Sequence, residues 1–195
     1  GALVFDGTLD AFDATATVRP QGVWIGAAQP LAGDVVVTAR RDRGTVAGDA
    51  TARLTLGSHP LSAAGRYVYD VERGSARVDG LTAVLPGIDA EASGEVQSSP
   101  RLVRGRARAR GRDLADVAAL FGLELAGEAD VALDLDHDGV RQRARVNAVG
   151  RHLHVDDLTV ESVTLDVTPL AGAAASSFRV SGNGKYRHDF VVFAA

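Results

Sequence analysis

Apolar and polar residues alternate along most of this 195-residue chain. In TVAGDATARLTL, Val46, Gly48, Ala50, Ala52, Leu54 and Leu56 fall on one parity, while Thr45, Asp49, Thr51, Arg53 and Thr55 fall on the other. Successive side chains of a strand point to opposite faces, so such a run predicts a half-buried β-strand. The same reading holds for GRYVYDV (Tyr67, Tyr69, Val71), IDAEASGEV (Ile88, Ala90, Ala92, Gly94, Val96), EADVALDLD (Ala129, Val131, Leu133, Leu135) and ESVTLDV (Val163, Leu165, Val167). RLVRGRARARGRD follows it too. Arg104, Arg106, Arg108 and Arg110 share one face, and Val103, Gly105, Ala107, Ala109 and Gly111 share the other.

Turn signals recur about every ten residues: RPQG, QPLAGD, RDRG, GSHP, ERG, LPG, SSP, DHDG, TPLAG and SGNG. They predict about a dozen short antiparallel strands, with one apolar face and one face in water. One segment breaks the period. In RDLADVAALFG, Leu114, Val117, Ala118 and Phe121 recur at helical spacing, with Asp113 as N-cap and Gly122 as C′ residue. A helix near 113–121 is expected to cover an edge or open side of the sheet.

Composition narrows the class. The apolar residues are mostly Ala, Val and Leu, aromatics are 5%, and there are 22 glycines, which suits thin regular strands better than a bulky core. The formal net charge is −4, and the arginine run has no interleaved aromatics. That argues against nucleic acid and leaves the arginines as a solvated outer wall, with a polyanion site as the rival reading. Without cysteine, disulfides, zinc–thiolate sites and thiol catalysis are excluded. No run of about 18 apolar residues is present to span a bilayer as a helix. The chain opens on GALVFDG and closes on FVVFAA, both in mid-pattern, so residues 1–195 are expected to be an internal segment of a larger repetitive domain.

Candidate chemistry is sparse. DLDHDG (134–139) matches the opening of a calcium loop, but the twelfth position, which needs a bidentate Glu, is Arg145. His152, His154 and Asp156 share a strand face, yet no third histidine is near, and they read as solvated. There is no G-x-S-x-G, and GNGK (182–185) lacks the phosphate-loop frame and reads as a turn. No carboxylate pair is placed to hold two different pKa values. Trp24, Tyr67, Tyr69 and Phe190 read as filler rather than a sugar platform. The expectation is a non-enzyme with no metal and no cofactor.

Between Arg104 and Val167 the order is an alternating strand, DLADVAALFGLELAG, EADVALDLD, a glycine turn, RQRARVNAVG and HLHVDDLTVESVTLDV. This resembles the periplasmic repeats of the TamB family, the inner-membrane subunit of the translocation and assembly module, within the AsmA-like group. The matching positions are Asp113, Leu114, Val117, Leu120, Gly122, Leu125, Gly127, Ala129, Val131, Leu133, Leu135 and Gly139, then Leu153, Val155, Leu158, Val163 and Leu165.

The resemblance implies a long antiparallel sheet curled into an open apolar groove that shields phospholipid acyl chains between inner and outer membranes. It also implies an inner-membrane anchor elsewhere in the protein and an outer-membrane barrel partner of the TamA type. The groove-lining candidates are Leu54, Leu56, Ile88, Val131, Leu133, Leu135, Leu153, Val155, Val163, Leu165 and Val167. Within the family the alternative is a chaperone-like role in outer-membrane protein and autotransporter assembly, by pairing of sheet edges with client strands. From another class, the rival is an adhesin or structural β-solenoid with a filled interior.

Overall fold

A computed structural model describes the backbone of residues 1–21, 23–25, 29–98, 101–120, 122–140, 142–155, 158–169, 178–186 and 189–194, and the side chains of 1–21, 30–97, 102–119, 122–140, 142–154 and 159–166. The fold is all-β. Its strands are β1 (Ala2–Gly7), β2 (Ala11–Val18), β3 (Val23–Ile25), β4 (Gln29–Asp42), β5 (Thr45–Leu56), β6 (His59–Asp70), β7 (Ser75–Leu85), β8 (Ile88–Ser98) and β9 (Arg101–Gly111). The helix α1 (Ala115–Leu120) follows, and then β10 (Leu125–His137), β11 (Gln142–Val155), β12 (Leu158–Pro169), β13 (Phe178–Tyr186) and β14 (Asp189–Ala194).

The chain forms two compact units, one of residues 1–86 and 91–101, the other of 87–90 and 102–195. In the first, the strand order is β1-β2-β4-β5-β6-β7, with β3 beside β4. In the second it is β9-β10-β11-β12-β13-β14. Described pairings are antiparallel between strands adjacent or nearly so in sequence, and the sheets stay open rather than closing into barrels.

Most strands are longer than the turn signals suggest: β4 and β11 have 14 residues, β10 has 13. Two of those signals lie inside strands. QPLAGD begins β4, where Gly33 (φ 138°) pairs with Leu54. SGNG lies in β13, where Gly182 and Gly184 pair with Leu165 and Val163. GNGK is therefore strand and not turn. Pairing with a long neighbour outweighs the local turn preference, and glycine there admits a close approach. RDRG, GSHP, ERG, LPG and DHDG do mark the connections that follow β4, β5, β6, β7 and β10.

Alternation survives in the burial of β2, β5, β9 and most of β6. By contrast, β1 is exposed throughout and β7 is irregular. At the end of β6, Val68 and Asp70 are partly covered while Tyr69 and, just beyond the strand, Val71 are exposed, against the parity expected for GRYVYDV. Along β5, Leu54 and Leu56 are covered while Asp49, Thr51, Arg53 and Thr55 are exposed. Along β9, Arg104, Arg106, Arg108 and Arg110 are exposed, and Gly105, Ala107 and Ala109 are half-buried. Covering is shallow even on the apolar faces. Among the described residues only Leu56 (4%), Leu102 (4%) and Ala118 (3%) form a buried hydrophobic core, and no side chain is completely enclosed. The accessible surface is 12898 Å². Two separate compact bodies that divided the 20.2 kDa equally would together expose roughly 10,600 Å². Among the described residues the apolar faces thus lack the second layer that ordinarily covers a sheet.

Helix α1 is built as its sequence predicts. The Asp113 carboxylate accepts the Ala115 N–H at 2.9 Å. At the other end Gly122 (φ 69°) donates to the Ala119 carbonyl at 3.2 Å and Leu123 to the Ala118 carbonyl at 3.0 Å, the paired bonds of a Schellman stop. The Leu114 N–H donates to the Gly127 carbonyl of β10, and the Arg112 N–H to that of Gly87, both at 2.9 Å, fixing this end of the second unit.

Candidate functional site: two faces of an open sheet

Strand register decides which side chains share a face. In the second unit, Ala107 lies across from Leu133 and Leu133 from Val146; Ala109 from Val131, Val131 from Ala148, and Ala148 from Leu165; Ala129 from Gly150, and Gly150 from Val163. Leu135 sits between Gly105 and Ala144. Val131, Leu133, Leu135, Val163 and Leu165 therefore line one apolar face, as their parity predicts. Val131 is its most open member, 38% exposed. Leu54 and Leu56 belong to the first unit, where they face Gly33 and Leu31 on one side and Leu61 and His59 on the other. The side chains of Val155 and Val167 lie outside the described residues.

Leu153 reaches this face by a bulge. Up to Gly150 the apolar residues of β11 are even-numbered (Ala144, Val146, Ala148), whereas Leu153 is odd. The change of phase requires one extra residue, and the β10–β11 register shifts there, between Ala126 and Glu128. His152 takes the left-handed conformation (φ 50°). Leu153 then folds over Gly150, where an added Cβ would lie 2.5 Å from Leu153 Cδ1 and 3.0 Å from Val163 Cγ1. Similarly, Leu114 and Ile88 cover Gly111: an added Cβ there would lie 2.6 Å from Leu114 Cδ2 and 3.6 Å from Ile88 Cγ1. The glycine row is thus closed by the protein's own side chains beside α1, while the Ala107–Leu133 and Ala109–Val131 rows are less covered.

The polar face is zwitterionic. Arg104, Arg106 and Arg110 meet Asp136, Asp134 and Asp130 across β9 and β10 at 3.0, 4.0 and 2.8 Å. Arg151 adds a second contact to Asp130 at 3.2 Å. The Arg110 hydrogen bond, then that of Arg151, holds the Asp130 carboxyl below the usual carboxylate range, and Arg110 is raised in turn. Asp136 is lowered first by the His137 backbone N–H and then by Arg104. Sequence parity identified the arginine wall but not its acidic partners, because partners on different strands become visible only with the register.

Two further contacts had no sequence signal. The Gln142 amide stands in for a missing rung. Its Oε1 accepts the Val103 N–H at 2.7 Å, and its Nε2 donates to the Val103 and Asp136 carbonyls at 2.8 and 2.9 Å. In the first unit the Tyr67 hydroxyl donates to the Thr38 carbonyl at 2.9 Å, reaching across Gly48. Burial and the Asp49 charge raise its pKa.

The residues weighed for other chemistry are dispersed. Asp134 and Asp136 face arginines, and Asp138 pairs with Arg143 at 3.0 Å. His152 and His154 are exposed, with His154 Nδ1 3.0 Å from the His152 carbonyl oxygen, and Asp156 lies outside the described residues. Tyr69 is half-exposed, and the side chains of Trp24 and Phe190 are outside the described set. Among the described residues no three His, Asp or Glu side chains converge as metal ligands, and no helix is long and apolar enough to cross a membrane.

These features define a class: an open antiparallel sheet protein with one apolar and one arginine–aspartate face. No protein-family profile, curated protein or solved structure matches the chain.

Proposed function

We propose that the apolar faces form part of a groove for phospholipid acyl chains, in a periplasmic, TamB-like protein that bridges the inner and outer membranes. One observation carries this reading: the faces are apolar and continuous over several strands, yet they have no covering layer. A sheet that leaves Val131, Leu133 and Leu165 only partly covered needs an apolar occupant, and each CH₂ removed from water contributes about 0.8 kcal/mol. The wall of Ala, Val and Leu is smooth enough for a chain to slide along, unlike the interdigitated packing of a closed core. Passage along such a wall breaks no covalent bond, so the reading is non-enzymatic.

A photo-crosslinking residue at Leu133 in the full protein is expected to capture phospholipid in cells, and the same probe at Asp134 is not, since one step along a strand reverses the face. Leu133→Arg is expected to block passage while the fold persists, the cation snorkelling to the rim. Equal capture at both positions, or none at either, would remove the basis for the proposal.

A further inference from the structure

We infer that the outer face of the second unit holds a binding site for a phosphate-type oxyanion, centred over Ala132 and gripped by Arg108 with help from Arg106 and Arg145. The site lies on the opposite side of the sheet from the acyl-chain face and does not depend on that reading.

On β10 the outward positions are Glu128, across from Arg151, then Asp130, Ala132, Asp134 and Asp136. Each aspartate is flanked by arginines: Asp136 by Arg104 and Arg143, Asp134 by Arg106 and Arg145, and Asp130 by Arg110 and Arg151. Ala132 is the gap in that acidic row. Arg108 lies directly across from it on β9 and has no ion pair or hydrogen bond among the described residues. On the other side of Ala132 stands Asn147, whose amide donates to Asp166 at 2.7 Å. The carboxylate of that rung is therefore two strands away and already engaged.

The charge around the gap is unbalanced. Asp130 is shared by two arginines. Asp134 makes a single long contact with Arg106, and Arg145 has no ion pair among the described residues. On β9, β10 and β11, the three guanidinium groups Arg106, Arg108 and Arg145 thus have one weakly held carboxylate between them. One rung along, over Asp134 and Asp136, Arg104, Arg106, Arg143 and Arg145 border a shallow depression of about 570 Å³, which adjoins the gap at Ala132 without including it. Outward positions on one strand repeat about every 6.8 Å. An oxyanion over Ala132 would therefore continue the row at the spacing of its aspartates. A guanidinium presents a planar fork of donors that fits phosphate oxygens in pairs. With no aromatic side chain in the patch there is nothing to stack a base on, so the chemistry selects the phosphate and not a nucleotide.

Two sources share this chemistry, a free phosphate and a phospholipid headgroup at a membrane surface. Two probes separate them. Inorganic pyrophosphate titrated calorimetrically at low ionic strength is expected to bind saturably to the wild-type chain. Ala132→Asp, which supplies the missing carboxylate from the protein itself, and Arg108→Gln are each expected to weaken that binding at least about tenfold. Arg77→Gln, which removes an outer-face arginine of the first unit, is expected to leave it unchanged.

Flotation with phosphatidylcholine vesicles, with and without phosphatidylglycerol, asks whether a headgroup is also taken. Capture that needs phosphatidylglycerol and is lost in Ala132→Asp assigns the site to a headgroup, while pyrophosphate binding without capture assigns it to the free anion. Urea midpoints check the folds. Ala132→Asp should not fall below wild type, because its new carboxylate meets Arg108. Should it fail to fold, the comparison of Arg108→Gln with Arg77→Gln decides. Equal weakening by those two variants, or no saturable binding of either probe, overturns the proposal.

Discussion

Asp130 shows how an exposed side chain acquires a fixed role. Its carboxylate receives Arg110 at 2.8 Å and Arg151 at 3.2 Å, and its pKa is lowered first by the Arg110 hydrogen bond. A carboxyl whose pKa is lower in the folded than in the unfolded state contributes stability above its unfolded pKa, and that contribution is lost as pH falls through the folded value. Arg110→Gln is expected to move the Asp130 titration, followed by carbon NMR of the carboxyl, up toward the ordinary range, with Arg151 retaining part of the shift. An unchanged titration would show that the Arg110 contact is not made in solution. Because the group is in water, the contact sets register more than it adds stability.

At the scale of the element, β11 is the informative strand. Period-2 alternation can carry apolar residues along one face only while the count is unbroken, and β11 breaks it between Gly150 and Leu153. The extra residue returns Leu153 to the apolar side, over a glycine that leaves room for it. His152 absorbs the irregularity with φ at 50°, a conformation that costs a side-chain-bearing residue roughly 1–2 kcal/mol. His152→Gly is expected to raise the urea midpoint, corresponding to about 1 kcal/mol at most once the greater freedom of the unfolded chain is subtracted. His152→Val is expected to lower it. The opposite order would mean that β11 runs straight here.

For the molecule as a whole, the governing fact is an apolar surface without a second layer among the described residues. Folding removes less apolar area from water than it does in a packed domain, and the heat capacity of unfolding follows that area. Calorimetry is expected to give a value per residue clearly below the ~12–15 cal/mol/K of globular domains. A value inside that range would mean that the faces are covered in solution, by self-association or by a bound lipid. Extraction with organic solvent before the measurement separates those two cases.

The sequence alone determined the strand class, most of the assignment of residues to apolar and polar faces (the end of β6, where Tyr69 is exposed and Val68 partly covered, is an exception), and the ends of α1, because each depends on neighbours within a few positions. Alternation placed Leu133 and Leu165 on apolar faces and Arg106 and Arg108 in water. Asp113 and Gly122 bounded the helix through bonds to Ala115 and Ala119. The same local reasoning misplaced QPLAGD and SGNG, since whether a glycine turns or extends depends on a partner strand. The bulge left a readable trace, the phase change after Gly150, but its position between Ala126 and Glu128 came from pairing. Only the tertiary structure decided that the arginines of β9 face the aspartates of β10, that Ala132 interrupts that row, and that Gln142 bridges to Val103. Those facts depend on register between strands. Register is fixed by many weak contacts acting together, and no single stretch of sequence contains it.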